Sequence, residues 1–246
     1  QPLPPFKSRK VLALLAYLAL SPGAHPRSQL AGLLWSDLPE HKALANLRFA
    51  LWNLNQVLGV PIVQADRTSV TLQTDRGHLG ASPFGNGDAA IPRGLLVPRG
   101  LLVFDTDEFL NALRQTENNR QSESPATIAA LERAATLYRG DLLAGLDLGD
   151  GLLFNEWLQE QRACLREMAV EAIYRLANYH AERRHLPEAI AATRRLLTMD
   201  PWREEAHRQM MRLLARSGQR SAALAQYETC RRILQSELGV EPTQET

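Results

Sequence analysis

From Asp107 almost to residue 246, apolar residues recur at helical spacing, interrupted only by short breaks such as Arg139-Gly140-Asp141 and Ser217-Gly218. Helices are expected over 107–118, 125–139, 152–184, 187–199, 202–217 and 219–237. Inside this stretch the sequence repeats at an offset of 34 residues, pairing Leu176 with Met210, Ala189 with Ala223, Thr193 with Tyr227 and Leu196 with Cys230. The small residues Ala189 and Ala223 let paired helices approach closely, and Pro201 falls twelve residues after Ala189. One such helical pair cannot bury its own apolar stripe, so pairs must stack, and stacking leaves a groove.

That offset and those small positions match the spacing of a tetratricopeptide unit, the alternative being plain helical hairpins in accidental register. By motif position Glu171, Tyr174 and Asn178 face the groove from one unit, and Glu205, Arg208 and Arg212 from the next. These six are the candidate partner contacts of the helical half.

The front of the chain reads differently. Ser8 is placed to cap a helix from Lys10 to about Leu20, which is apolar almost all round and stops at Ser21-Pro22-Gly23. Pro26-Arg27-Ser28 opens a short helix to about Trp35, with Ser28 as the expected N-cap. Asp37-Leu38-Pro39-Glu40 has the form of a capping box, and the third helix runs from it to Gly59. Two β-type runs follow, Ile62 to Ala65 and Ser69 to Gln73, around Asp66-Arg67-Thr68. Three helices and then a hairpin is the order of a winged helix. Residues 76–102 break the pattern with Gly, Pro and Ala and a tandem hexapeptide, Pro92 to Val97 and Pro98 to Val103, and read as a flexible insertion.

Composition narrows the function. Apolar residues make up 45 % of the chain and charged residues 22 %, values of a globular protein. The net charge of +1 divides into +3 over residues 1–75, +2 over 76–104 and −4 over the remainder, so the front suits a polyanion. The ten-residue apolar run Val11 to Leu20 is about half of what a bilayer requires, so no membrane span is expected. Cys164 and Cys230 stand apart inside helical segments, which fits small apolar packing in a reducing cytoplasm. No phosphate-binding glycine loop, zinc-protease helix or nucleophile elbow is present. The six histidines lack metal spacing, and no catalytic residue, cofactor or metal is expected.

Several spaced motifs are recognisable together. They are Glu156 to Arg162, Leu196 to Pro201 with Arg203-Glu204-Glu205, Met211 to Gly218, and Glu237 to Pro242, preceded by Arg9 to Leu20, Leu33-Leu34-Trp35, Ala45 to Arg48 and Leu58-Gly59. The chain closely resembles the bacterial transcriptional activator domain family, of the antibiotic regulatory protein type, everywhere except the insertion. The resemblance implies a mainly α fold. A winged helix-turn-helix over 1–75 is followed by the insertion 76–102 and an all-α tetratricopeptide-like domain over 103–246. Only Gln1 to Phe6 precede the first helix, so the small leading sheet of such winged helices is expected to be missing, and the chain reads as a piece of a longer regulator. The implied function is transcriptional regulation on double-stranded promoter DNA, with the helical domain serving self-association or contact with RNA polymerase. The alternative is an interaction module with little DNA binding of its own.

On that reading the third helix is the DNA reader. At 100° per residue Leu44, Leu47, Leu51, Leu54 and Leu58 form the expected buried stripe, and Lys42, Ala45, Asn46, Phe49, Trp52, Asn53 and Gln56 the opposite face. Amides pair with adenine and an apolar ring touches a thymine methyl, which selects Asn46, Phe49, Asn53 and Gln56 as base readers. Lys42 and Arg48 on the flanks, Arg27 and Ser28 at the start of the second helix, and Arg67 at the hairpin tip are the expected backbone contacts.

Overall fold

A computed structural model of the chain describes residues 6, 8–58, 63–72, 104–117 and 124–246. Gly59 and the 76–102 insertion with its tandem hexapeptide lie outside the described residues. The described residues form nine helices and three strands, so the mainly α fold class stands. They fall into two compact units.

The first unit holds α1 (Arg9–Leu20), β1 (Ala24–Pro26), α2 (Arg27–Leu34), α3 (Glu40–Leu58), β2 (Val63–Ala65) and β3 (Ser69–Leu72). The expected hairpin is present, and β3 is the centre of an antiparallel sheet ordered β1-β3-β2. Pro26 pairs with Ser69 on an edge strand, the place where a residue without an N–H costs least. One expected cap differs. The N-cap of α2 is Pro26, not Ser28, because the chain leaves β1 and turns straight into the helix. At α3 the Pro39 carbonyl accepts from the Lys42 and Ala43 N–H groups at 2.9 and 3.1 Å, and the helix begins at Glu40.

Residues 142–161 pack with the first unit, so the compact units do not follow the expected division at residue 103. Leu148, Phe154 and Leu158 are buried in one cluster with Leu14, Leu18, Leu30, Leu34, Leu47 and Leu54. Polar ties hold the returning segment. Lys10 Nζ meets Asp150 at 2.6 Å and lies 5.4 Å from the centre of the Trp35 ring, and Ser36 Oγ donates to the Asp150 carbonyl at 3.1 Å. Asn155 shapes the turn before the helix, accepting from the Leu148 N–H at 3.1 Å and donating to its carbonyl at 2.9 Å. Gly151 must stay small, since a Cβ there would come within 2.9 Å of Leu148 Cβ.

The second unit holds α4 (Asp105–Glu117), α5 (Pro125–Leu137), the later part of α6 (Leu152–Glu182), α7 (Leu186–Met199), α8 (Glu204–Arg216) and α9 (Arg220–Leu238). Ser124 caps α5 by accepting from the Thr127 N–H at 3.2 Å, with Pro125 in the first turn. The core gathers Ile128, Leu131, Ile173, Leu176, Leu196 and Ala206. Residues 34 apart share their environment at two positions, since Leu176 and Met210 are both buried, as are Leu196 and Cys230. Arg166 binds Asp141 at 2.5 Å and Arg195 donates to the Tyr138 carbonyl, fastening the stretch after α5. The Arg166 guanidinium holds the Asp141 carboxyl below the ordinary carboxylate range.

Candidate nucleic-acid interface

Helix α3 buries Ala43, Leu47, Ala50, Leu51 and Leu54, a stripe centred on Leu47 and Leu54. Lys42, Ala45, Asn46, Arg48, Phe49, Trp52 and Gln56 are exposed on its other side, as the helical period requires. Phe49 and Trp52 are 64 % and 56 % exposed, and their ring centres lie 5.7 Å apart. The two adjacent rings form an exposed apolar patch on this face of the helix.

Asn53 departs from its expected role. Its side chain is only 9 % exposed and its Oδ1 has no hydrogen-bond partner, so it offers no amide to a base edge. The cause is uneven covering along α3. The first ten residues carry exposed flanks, whereas Asn55, Val57 and Leu58 are half-buried and Asn55 Oδ1 accepts from the Val63 N–H at 3.4 Å. An amide on the flank is therefore open at position 46 and closed at position 53.

The hairpin beside α3 is held by Asp66. Its Oδ1 accepts from the Thr68 and Ser69 N–H groups, both at 2.6 Å, and its Oδ2 accepts from Ser69 Oγ at 2.8 Å. These donors, the Ser69 N–H foremost, keep the carboxyl far below its ordinary range. Arg27 is tied to the same turn, its N–H donating to the Thr68 carbonyl and its Nη1 to the Asp66 carbonyl, each at 2.9 Å. Arg27 thus anchors the hairpin, while Ser28 and Arg67 remain exposed.

Asp66→Ala is expected to loosen the tip, read as faster amide exchange at Thr68 and Ser69, whereas Asp66→Asn keeps an Oδ1 acceptor for the two backbone N–H donors and most of the protection. The carboxyl is lowered in the folded chain, so its contribution is full above the unfolded value near pH 4 and fades as pH falls toward the folded one. Protection of these two amides, taken relative to intrinsic exchange at each pH, that stays constant as the carboxyl is protonated would contradict the assignment.

In the second unit Tyr174 and Asn178 of α6 and Glu205, Arg208 and Arg212 of α8 line a depression of about 290 Å³ with Ala181, Gln209, Leu213 and Arg216. Five of the six expected groove residues therefore come together, and exposed Glu171 is not among the lining. Gln209 donates to Asn178 Oδ1 at 2.8 Å, and Arg208 is engaged by Thr246 Oγ1 at 3.1 Å, Glu205 at 3.7 Å and Glu245 at 3.9 Å.

The sequence profile described as "Bacterial transcriptional activator domain" matches residues 104–246. The chain belongs to this family. Over 232 residues it is 27 % identical to regulatory protein AfsR of Streptomyces coelicolor, covering 94 % of this chain and 20 % of that one. It is 24 % identical to AfsR of Streptomyces griseus over 234 residues, covering 95 % and 21 %. The chain thus spans about a fifth of the length of these curated relatives. A solved structure of Mycobacterium tuberculosis EmbR, in complex with a low-affinity phosphopeptide, shares its fold. The TM-score is 0.68 at 20 % identity, covering 98 % of this chain and 57 % of that one.

The activator-domain profile begins at residue 104, at the start of α4, yet residues 142–161 inside it belong to the first compact unit. Family boundary and packing boundary differ here because sequence profiles follow chain order and cores do not. Sequence reasoning missed Asp66 as the organiser of the hairpin, although Asp-x-Thr-Ser after a β-type run is a side-chain turn signal. Among the described residues no group of three metal-ligating side chains occurs, and no helix is long and apolar enough to cross a membrane.

Proposed function

We propose that this chain is the promoter-reading part of a cytoplasmic transcriptional activator, with α3 in the major groove and the β2–β3 tip on the adjacent backbone. The exposed face of α3, bordered by Lys42 and Arg48 and followed by a hairpin with Arg67 at its tip, carries the reading. Asn46 and Gln56 read base edges, Lys42, Arg48 and Arg67 neutralise phosphates, and Ser28 supports the backbone from the start of α2. The helical unit serves self-association or contact with RNA polymerase, with Tyr174, Asn178, Glu205 and Arg212 in its groove. No catalytic role is assigned.

Three phosphate-binding cations imply a shallow salt dependence, with log affinity falling at a slope of about −3 against log salt. Fluorescence anisotropy on the protein's own promoter DNA across a salt series measures it. Asn46→Ala is expected to relax preference at one base pair, at a cost of about 1–3 kcal/mol, and Lys42→Ala to weaken all duplexes alike. Asn53→Ala, being buried, should alter stability and leave base preference intact. Equal affinity for promoter and random duplex in all variants would rule out sequence reading by α3.

A second reading is favoured by the Phe49–Trp52 pair, since bare aromatic rings beside few cations also suit a protein surface. In that reading the chain is an interaction module of a larger regulator. Absence of salt-sensitive DNA binding would select it.

A further inference from the structure

We infer that α3 reads its site chiefly through thymine methyl groups, packed against Ala45, Phe49 and Trp52; the inference rests on the DNA reading just proposed. It starts from which residues occupy the middle of the exposed face. At 100° per residue the direction opposite Leu47 and Leu54 falls on Ala45, Phe49, Trp52 and Gln56. The first three are apolar. The polar candidates stand to the sides, with Lys42 and Asn46 on one flank and Arg48 on the other.

A helix seated in the major groove turns the middle of its exposed face to the base edges and its flanks to the two phosphate walls. Base edges there present hydrogen-bonding groups at every pair, and the C5 methyl of thymine is the apolar feature among them. Carbonyl or amino edges set against Phe49 and Trp52 would lose water and gain no partner, a penalty that thymine methyls avoid. The two rings are held 5.7 Å apart and largely bare, so they form one continuous apolar platform. Along the helix axis Ala45 to Trp52 covers about 10 Å. That matches about three base-pair rises of 3.4 Å, enough for methyls at two or three successive positions. Charge agrees with this occupant, because the cations Lys42 and Arg48 border the platform on both sides and are placed for the phosphates of the two strands.

The test uses the full 246-residue chain and a duplex recovered by selection from a random library. Thymine is then replaced by uracil throughout the selected site, which removes the methyl groups and leaves every Watson–Crick pair. Affinity is expected to fall about fourfold per contacted methyl, or about fifteenfold for two. In the Phe49→Ala/Trp52→Ala double variant the same replacement should lose most of its effect, leaving at most the contact at Ala45, while Phe49→Leu, which keeps an apolar side chain, should retain sensitivity. Both aromatic residues are exposed, and thermal melting checks that the variants fold as the parent does.

Uracil that leaves affinity unchanged on a duplex the protein still binds overturns methyl reading and leaves DNA reading intact. Equal uracil sensitivity in the double variant also overturns it, by assigning the effect to duplex shape. If selection recovers no duplex that binds, the DNA reading fails and this inference fails with it.

Discussion

Phe154→Ala is expected to destabilise the first unit by about 3–5 kcal/mol, although residue 154 lies fifty residues into the stretch matched by the activator-domain profile. Phe154 is fully buried, and its ring lies 5.4 Å from Trp157, which in turn lies 4.9 Å from Tyr17 of α1. Truncation would leave a cavity in the cluster that also holds leucines of α1, α2 and α3, and packed interiors collapse only partly around such a hole. The neighbouring Leu153 is 52 % exposed, and Leu153→Ala should cost less than about 0.5 kcal/mol. Hydrogen exchange resolved by segment separates the outcomes. Loss of protection in α1–α3 is expected, and loss confined to residues 162–246 would contradict the shared core. A fragment ending at residue 104 should accordingly be much less stable than the same residues in the whole chain.

His207→Ala should cost the second unit roughly 3 kcal/mol. The side chain of His207 is buried, with Nε2 at 2.9 Å from the Pro201 carbonyl and Nδ1 at 2.7 Å from Gln226 Nε2. A carbonyl only accepts, so Nε2 carries the proton and Nδ1 accepts from the Gln226 amide. One imidazole therefore joins the turn before α8 to α9. Removing it strands a carbonyl and an amide, each worth about 1–3 kcal/mol when buried without a partner, and opens a void. Gln226 is half-buried, so Gln226→Ala should cost only about 1 kcal/mol. A double-mutant cycle by urea unfolding tests the link. A coupling of about 1 kcal/mol is expected, and strict additivity would mean that the two side chains act independently.

Much of this architecture was written in short-range patterns. The expected helices 187–199, 202–217 and 219–237 correspond to Leu186–Met199, Glu204–Arg216 and Arg220–Leu238, because Pro187, Asp200-Pro201 and Gly218 punctuate them locally. The hairpin was legible for the same reason. Strand β1 was not, since Ala-His-Pro has no strand character and is extended only because β3 offers it hydrogen bonds. The place of Leu148, Phe154 and Leu158 was hidden too, because a periodic pattern shows that a face is buried without showing what buries it. At the candidate interface the wheel found the exposed line through Phe49 and Trp52. It failed at Asn53, where covering depends on distance along α3 as well as angle around it. The groove residues came together because a helical repeat carries its own register, whereas the engagement of Arg208 by Glu245 and Thr246 has no short-range signal.

The chain passes from the first unit to the second after Phe104, returns at Leu142 and leaves again after Gln161. Each unit is therefore assembled from separated pieces of one gene product. A single crossover that joined this winged helix to a foreign helical segment would leave Leu14 and Leu47 without Leu148 and Phe154, and the hybrid would begin life with an open core. A swap that keeps this core intact must therefore carry residues 142–161 along with the winged helix. On the ribosome the same arrangement imposes a delay, since the first unit cannot close its core until residue 161 has emerged.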